Sequence, residues 1–596
     1  MAATYKAPLR DIRFVLHDVL DVSRIAELPG YEDATPDIFD AVLEEAAKMC
    51  ENELFPINRS GDEEGCTFEN GVVRTPAGFK EAYKTFIEAG WTSIAADPKY
   101  GGQGLPKTLN FVIEEMICSA NLAFGMYPGL SAGAYNAIAA HATDELKQRY
   151  LPKLGDGSWS GTMCLTEPHC GTDLGLIRTR AVPADDGTFR VTGTKIFISA
   201  GEHDLTENII HLVLAKLPGA PEGTRGISLF LVPKFIPDDQ NASGARNGVA
   251  CGSIEHKMGI KASATCVLNF DDAVGWMVGE PHRGLQAMFT MMNVARLAVG
   301  MQGLGIGEAA YQGAVDYARD RTSGRALTGA KYPDQSADPI IVHPDVRRNL
   351  LTMRALNEGA RALSYWIGTE IDIAHHHPDP ATRQAADDLV QLMTPIIKAF
   401  LTDIGFDNAN RGVQIYGGHG YIREHGMEQY VRDARITQLY EGTNGIQALD
   451  LVGRKLPTGM GRLLRRFFHP VDAYIAGKKG DAALKDFTGP LAKAFQRLQQ
   501  ATAGLAQKAM ANPDEAGAAA TPYLRMFALV ALAYMWTRMA EVATAKIAVG
   551  EDVAFHTAKL KTGRYFMEQV LPEHLSAFAV AMAGARTVMA LDDDEF

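Results

Sequence analysis

No CxxC pair occurs in this sequence, and its seven cysteines (Cys50, Cys66, Cys118, Cys164, Cys170, Cys251 and Cys266) are an odd number scattered along the chain. That pattern speaks against a disulfide frame or a zinc site, so no metal is expected, and for a reducing compartment. Met1 to Arg10 holds no apolar run, so no signal peptide is expected and the expected location is the cytoplasm. The most apolar late stretch, Met526 to Trp536, is about half as long as a membrane-spanning helix and is closed by Arg538, so it reads as a buried helix. Basic residues are not in excess: 58 Lys and Arg stand against 71 Asp and Glu, a net charge of −13. A global acidic balance repels nucleic acid and anionic membranes. No internal repeat is evident.

What is present is a soluble, globular composition, 46% hydrophobic and 22% charged, over 596 residues. That length exceeds one ordinary core, so several domains are expected. From Pro36 to about Leu154 the pattern is helical, with Ile38, Val42, Ala46 and Met49 at helix spacing. Thr75 and Pro76 read as the cap and first residue of a second helix running to Gly90. The glycine-rich run Gly101 to Pro106 follows no strand and reads as a plain turn. From Trp159 to about Phe270 short strand-favouring runs alternate with turn signals at Asp186-Gly187 and Thr192-Gly193, the pattern of a β-barrel or sandwich.

Helical texture returns at Gly284, in segments of about 284–322, 343–373, 380–416 and 428–452, which suggests a four-helix bundle. Pro395 should kink the third. After Pro457 comes a basic linker with Arg462, Arg465, Arg466, Lys478 and Lys479, then further helices with a Gly/Ala-rich hinge at Ala516–Ala520. The expected class is α+β, with a helical domain over 1–158, a β-domain over 159–280, a helix bundle over 281–456 and a helical extension over 457–596.

The stretch Gln438-Leu439-Tyr440-Glu441-Gly442-Thr443-Asn444-Gly445 places one carboxylate between an aromatic and a glycine that permits a turn. Alone it reads as a solvated loop. In an apolar cleft, desolvation would raise the pKa of Glu441 and suit it to act as a general base near neutrality.

Three more motifs sit at the joints of the helix, β-domain, helix order: Met163 to Asp173 (MCLTEPHCGTD), Gln414 to Tyr421 (QIYGGHGY) and Arg432-Asp433-Ala434-Arg435. Together with the stretch around Glu441, this set resembles the acyl-CoA dehydrogenase family of flavoenzymes over about residues 35–455. The long tail and Glu255 to Lys261 (EHKMGIK) resemble its large bacterial branch. The resemblance implies FAD and α,β-dehydrogenation of an acyl-CoA thioester. A carboxylate removes the α-proton, a hydride leaves the β-carbon for the flavin on the opposite face, and hydrogen bonds to the thioester carbonyl stabilise the developing enolate.

By the same resemblance Glu441 is the base. A second position used by some relatives falls at Ala295, which cannot accept a proton. Flavin contacts are implied for Met163, Leu165, Thr166, Thr172, Phe197, Ile198, Ser199, Gln414, Gly418, Thr443 and Asn444, and for Arg321, which would reach the flavin of a neighbouring subunit. Acyl-CoA contacts are implied for Thr172, Arg296, Tyr440 and Gly442. Met163 stands where many relatives have Tyr. Arg321-Thr322-Ser323-Gly324-Arg325 lacks the family's Gln-Phe-Gly wording, Asn293 stands for a frequent Asp, and Gly445 stands for a polar residue.

An electron-transfer flavoprotein is the implied electron acceptor and a homodimer the implied assembly. Short sulfur-containing, medium and long straight acyl chains all stay open. Three other readings also stand: an acyl-CoA oxidase, a DNA-binding flavin relative using the basic linker and tail, and membrane-surface attachment through Leu463, Leu464, Phe467 and Phe468 beside the linker's arginines.

Overall fold

The computed structural model describes residues 4–596. The chain forms two compact units, one comprising the N-terminal segment to Ala47, Lys107–Glu115 and Val299–Phe596, the other Lys48–Pro106 and Met116–Ala298.

The second unit carries the strands. A hairpin, β1 (Thr67–Glu69) and β2 (Val72–Arg74), turns at Asn70-Gly71, both with positive φ. The helical pattern expected over 36–154 is interrupted here, because Asn-Gly favours two left-handed residues in a tight hairpin. Thr75 does not cap a helix: its N–H and hydroxyl both donate to Asp204, at 3.0 and 2.8 Å, and the helix begins at Phe79.

The barrel strands are β3 (Trp159–Cys164), β4 (Arg180–Pro183), β5 (Phe189–Ser199), β6 (Asn208–Lys216) and β7 (Ile227–Pro233). A short pair follows, β8 (Phe235–Pro237) and β9 (Ser243–Arg246), then β10 (Val249–Ile254) and β11 (Thr265–Val278). Pairing runs β11-β5-β4-β6-β7 and back to β11, which closes a ring. β3 lies parallel to β6 along an edge it shares with β4, and β10 lies beside β11. Closure leaves those five strands no open edge.

Along β6, Ile210, Leu212 and Leu214 enter one apolar cluster with Trp159 and Met288, while Val213 and Ala215 enter another with Phe230 and Cys266. Both faces are covered, which is why β6 reads as a continuous apolar run. Asp186-Gly187 turns the chain between β4 and β5 as expected, but Thr192-Gly193 does not: β5 runs straight through it. Gly193 is there because a Cβ would collide with Thr179.

The first unit is helical. Helix Gly284–Asp320 starts in the second unit and continues into the first from Val299; it, Pro344–His376 and Pro380–Tyr416 match the periodic segments, and the third continues through Pro395. Asp379 caps that helix, accepting from the N–H of Thr382 at 2.9 Å, with Pro380 at its first position. The fourth expected helix is broken: Met427–Thr437 ends, a turn intervenes, and Asn444–Asp450 begins.

The anticipated hinge at Ala516–Ala520 lies inside helix Pro513–Ala548, because alanine is the strongest helix former and one Gly517 among them costs only about 1 kcal/mol. The basic linker is a helix, Arg462–Gly477, with Leu463 and Phe467 buried and Phe467 packed on Phe527. Phe468 packs on Phe495 and Phe527 as well, so these three apolar side chains face protein rather than a membrane surface. Arg462 and Arg466 pair with the buried Asp388, which removes two cations from any phosphate-binding surface. Two helices, Pro380–Tyr421 and Pro513–Ala548, are long and apolar enough to cross a membrane, but 78% and 67% of their apolar windows are buried, as in core helices.

Candidate active site

Glu441 sits in the turn between helices Met427–Thr437 and Asn444–Asp450, half-buried, with φ 58°, and Gly442 follows at φ 82°. A non-glycine residue held left-handed costs about 1–3 kcal/mol and persists only where its surroundings impose it. Here the surroundings are identifiable. The Lys398 ammonium, fully buried, donates to the Gly442 carbonyl at 2.9 Å and to Asn444 Oδ1 at 2.8 Å. Hydrogen bonds from a charged donor contribute about 1.5–3 kcal/mol each, enough to offset the strain. Gln447 Nε2 donates to the Glu441 carbonyl at 3.0 Å. Thr443 caps the next helix through Ile446 N–H at 3.4 Å. Tyr440 turns its hydroxyl onto Gln302 Oε1, leaving its ring for any substrate contact.

Asn444, read from sequence as a cofactor contact, has its side chain turned inward, donating to Ala399 O, Thr402 Oγ1 and Asp403 Oδ1 at 3.1, 2.9 and 2.7 Å. Sequence reasoning missed Lys398, Gln447 and Asp403. A signal existed: Lys398 interrupts the apolar run Pro395 to Leu401, and a lysine on a core face must be paired.

In the other unit the motif from Met163 leaves the end of β3 and folds into a tight loop closed by Glu167 and Cys170, each N–H donating to the other's carbonyl, at 2.9 and 3.0 Å. Lys195, on β5 and fully buried, donates to Leu165 O and to Glu167 Oε1, both at 2.9 Å. Glu167 also accepts from Thr179 Oγ1 at 2.6 Å and Arg178 N–H at 2.7 Å. Burial pushes the Glu167 carboxyl up, but Lys195 and these donors outweigh it and hold it below the usual carboxylate range. Burial pulls the Lys195 ammonium down, against the pull of Glu167. Glu167, His169 and Cys170 bring three ligand-type atoms within 4.8 Å, a convergence the sequence did not suggest. The Glu167 oxygens are engaged by Lys195, Thr179 and Arg178, so hydrogen bonding accounts for the arrangement.

Beside this loop Phe197 is 60% exposed and has φ 58°, an aromatic held outward in a strained conformation. Ile196 N–H donates to Thr166 O at 2.9 Å, which ties the two segments together. Among the described residues, the hydroxyls of Thr166, Thr172 and Ser199 have no protein hydrogen-bond partner. An exposed aromatic face with open hydroxyls and a fixed loop fits the polar-edged ring of a flavin. Ile198 is 2% exposed and packs in the barrel core, so its backbone is the part that can serve a ligand. Met163 is half-buried against the Trp159 cluster.

Of the remaining predicted residues, Arg296 is half-buried, with its guanidinium 6.0 Å from the Phe289 ring centroid. Arg321 and Gln414 are exposed, and among the described residues neither side chain has a protein partner. Gly418 is exposed and a Cβ there would meet nothing within 4 Å, so the chain's own packing does not require glycine; close approach by a ligand would.

Comparison with known proteins identifies the family. Family models described as acyl-CoA dehydrogenase N-terminal, middle and C-terminal domains match residues 38–158, 162–273 and 282–456, and one described as acetyl-CoA dehydrogenase C-terminal like matches 467–592. The chain is 44% identical to 3-methylmercaptopropionyl-CoA dehydrogenase of Ruegeria pomeroyi over 96% of both chains. It is 36% identical to a butyryl-CoA dehydrogenase of Syntrophomonas wolfei over 95% of both. Its fold matches an acyl-CoA dehydrogenase of Bacillus anthracis complexed with FAD, with TM-score 0.75 and 22% identity, covering 96% of this chain and 91% of that one. The chain belongs to the acyl-CoA dehydrogenase family and is an FAD-dependent oxidoreductase that dehydrogenates acyl-CoA thioesters.

Proposed function

We propose that Glu441 is the base of this reaction and that the acyl group is 3-methylmercaptopropionyl, oxidised to methylthioacryloyl-CoA. The observation that carries the base is the left-handed turn at Glu441, gripped from both sides by Lys398 and Gln447. The acyl group follows the relative that is 44% identical over nearly the full chain.

Glu441 takes the proton from the α-carbon. FAD, when bound, supplies the acceptor for the hydride that leaves the β-carbon. Leu165, Thr166, Thr172 and Ser199 would hold the flavin through backbone or hydroxyl, with Phe197 beside them. Gln414 and Gly418 would contribute to holding it too, and Arg321 would serve the flavin of a second copy in a homodimer. Arg296 pairs with the CoA. Thr443 and Asn444 shape the turn. The electrons pass on to an electron-transfer flavoprotein, and the enzyme works in the cytoplasm.

A second reading, a straight-chain acyl substrate of fatty-acid oxidation, rests on the 36% identity to a butyryl-CoA dehydrogenase. Anaerobic bleaching of the bound flavin by a panel of acyl-CoAs separates the two. Fastest bleaching by the sulfur-containing thioester is expected. Faster bleaching by butyryl- or octanoyl-CoA overturns the acyl assignment and leaves the base untouched.

A further inference from the structure

The turn that presents Glu441 has no intrinsic reason to hold its shape. Glu441 occupies a backbone region that glycine favours, and it is followed by Gly442, a glycine being the most adaptable residue type. Yet a base must be aimed at one proton, and a misplacement of about 1 Å can lower a rate on the order of 100-fold. Something outside the turn must fix it.

Lys398 meets that need. It lies on helix Pro380–Tyr416, is fully buried, and reaches the carbonyl of the residue directly after the base, at 2.9 Å. Its second bond, 2.8 Å to Asn444 Oδ1, holds the start of the following helix. Asn444 is itself fixed to the same helix through Ala399, Thr402 and Asp403. Asp403 also accepts from Gln438, three residues before the base, at 2.8 Å. The turn is thus anchored before and after Glu441 to one rigid helix. From inside the following helix, the fully buried Gln447 donates to the Glu441 carbonyl itself.

We infer that Lys398 is the positioning residue of the reaction: its ammonium holds the Gly442 carbonyl so that the Glu441 backbone and carboxylate stay aimed at the substrate. This rests on Glu441 being the base. Lys398 exchanges no proton with substrate.

The test compares the FAD-loaded wild type with Lys398→Met and Gln447→Leu. For Lys398→Met the rate of flavin reduction by acyl-CoA is expected to fall on the order of 100-fold with KM unchanged. Binding of the enoyl-CoA product is expected to stay within about 3-fold. Backbone hydrogen exchange, followed by mass spectrometry, is expected to rise in peptides covering 436–450 and to stay at wild-type levels elsewhere. Gln447→Leu is expected to show the same pattern more weakly, and it stands in if Lys398→Met does not fold.

Wild-type reduction rates overturn the inference, as does hydrogen exchange raised throughout the unit, which would mark Lys398 as a general stabiliser. Glu441→Gln separates the two ideas. If that variant turns over normally the base assignment fails. If it is inactive while Lys398→Met reduces flavin at the wild-type rate, only the role of Lys398 fails.

Discussion

Two loops in this molecule are each gripped by a fully buried lysine, and the two grips differ in kind. In the barrel unit Lys195 holds a carbonyl, Leu165 O, and a carboxylate, Glu167. In the helical unit Lys398 holds a carbonyl, Gly442 O, and an amide, Asn444. A carboxylate partner makes a pair whose loss strands a buried charge, and that costs about 3–5 kcal/mol. The Gly442 carbonyl and the Asn444 amide are neutral, so losing these two bonds strands no charge on the loop and disturbs its shape more than its stability. The first grip secures the unit that carries it. The second secures an aim.

The sharpest way to probe that difference starts with the acid itself. Glu441→Gln should fold and stay yellow while its flavin reduction falls about 10²–10⁴-fold, read by stopped-flow absorbance. Lys195→Met should do the opposite of a mutation in the base turn. Its thermal midpoint should fall by several degrees and its flavin should be lost on gel filtration, because the Glu167 carboxylate is left without its cation. If Lys195→Met keeps wild-type stability and Lys398→Met does not, the comparison is reversed.

Acid sharpens it further. The Glu167 carboxyl is held below its ordinary range, so its contribution is complete above the unfolded value, about 4.3. It is lost as pH falls through the lower folded value. Flavin retention should therefore weaken on acidification below about pH 4 in the wild type, and Glu167→Gln should abolish that dependence. A smaller effect is expected at Phe197. Glycine relieves the left-handed strain there while removing the ring, so Phe197→Gly should hold or raise the thermal midpoint and weaken flavin binding about 10-fold.

The smallest effect lies away from both loops. Burial pushes the Glu114 carboxyl up to about 7. An acid raised in the folded state leaves the protein at its best below the unfolded value and costs stability as pH climbs through 7. Glu114→Gln should thus match the wild type at pH 4.5 and melt about 1–2 degrees higher at pH 8, by scanning calorimetry.

Much of this was legible in the sequence. The strand runs pointed to a β-barrel or sandwich, and the periodic segments marked the long helices, since burial on one face leaves its period in the chain. The family motifs singled out Glu441 and Thr166 as candidates, and the structure places Glu441 in a strained turn. Local signals failed where tertiary contact decides. Gly193 resembles a turn but serves the approach of Thr179, and the alanines of 516–520 resemble a hinge but lie mid-helix. Lys195 looks like a surface residue by type, and Lys398 betrays its burial only by breaking an apolar run; which loop each one grips is decided by the fold.

Helices Gly284–Asp320 and Pro380–Tyr416 touch backbone to backbone at Gly303 and Gly405, where an added methyl on either would strike a main-chain carbonyl. Their separation is therefore already at its minimum and has no slack to give. Lys398 lies seven residues from Gly405, about 10 Å along the same rod. Bulk introduced at that crossing would lever the ammonium away from its turn, so an alanine there should register as an idle enzyme long before it registers as an unfolded one.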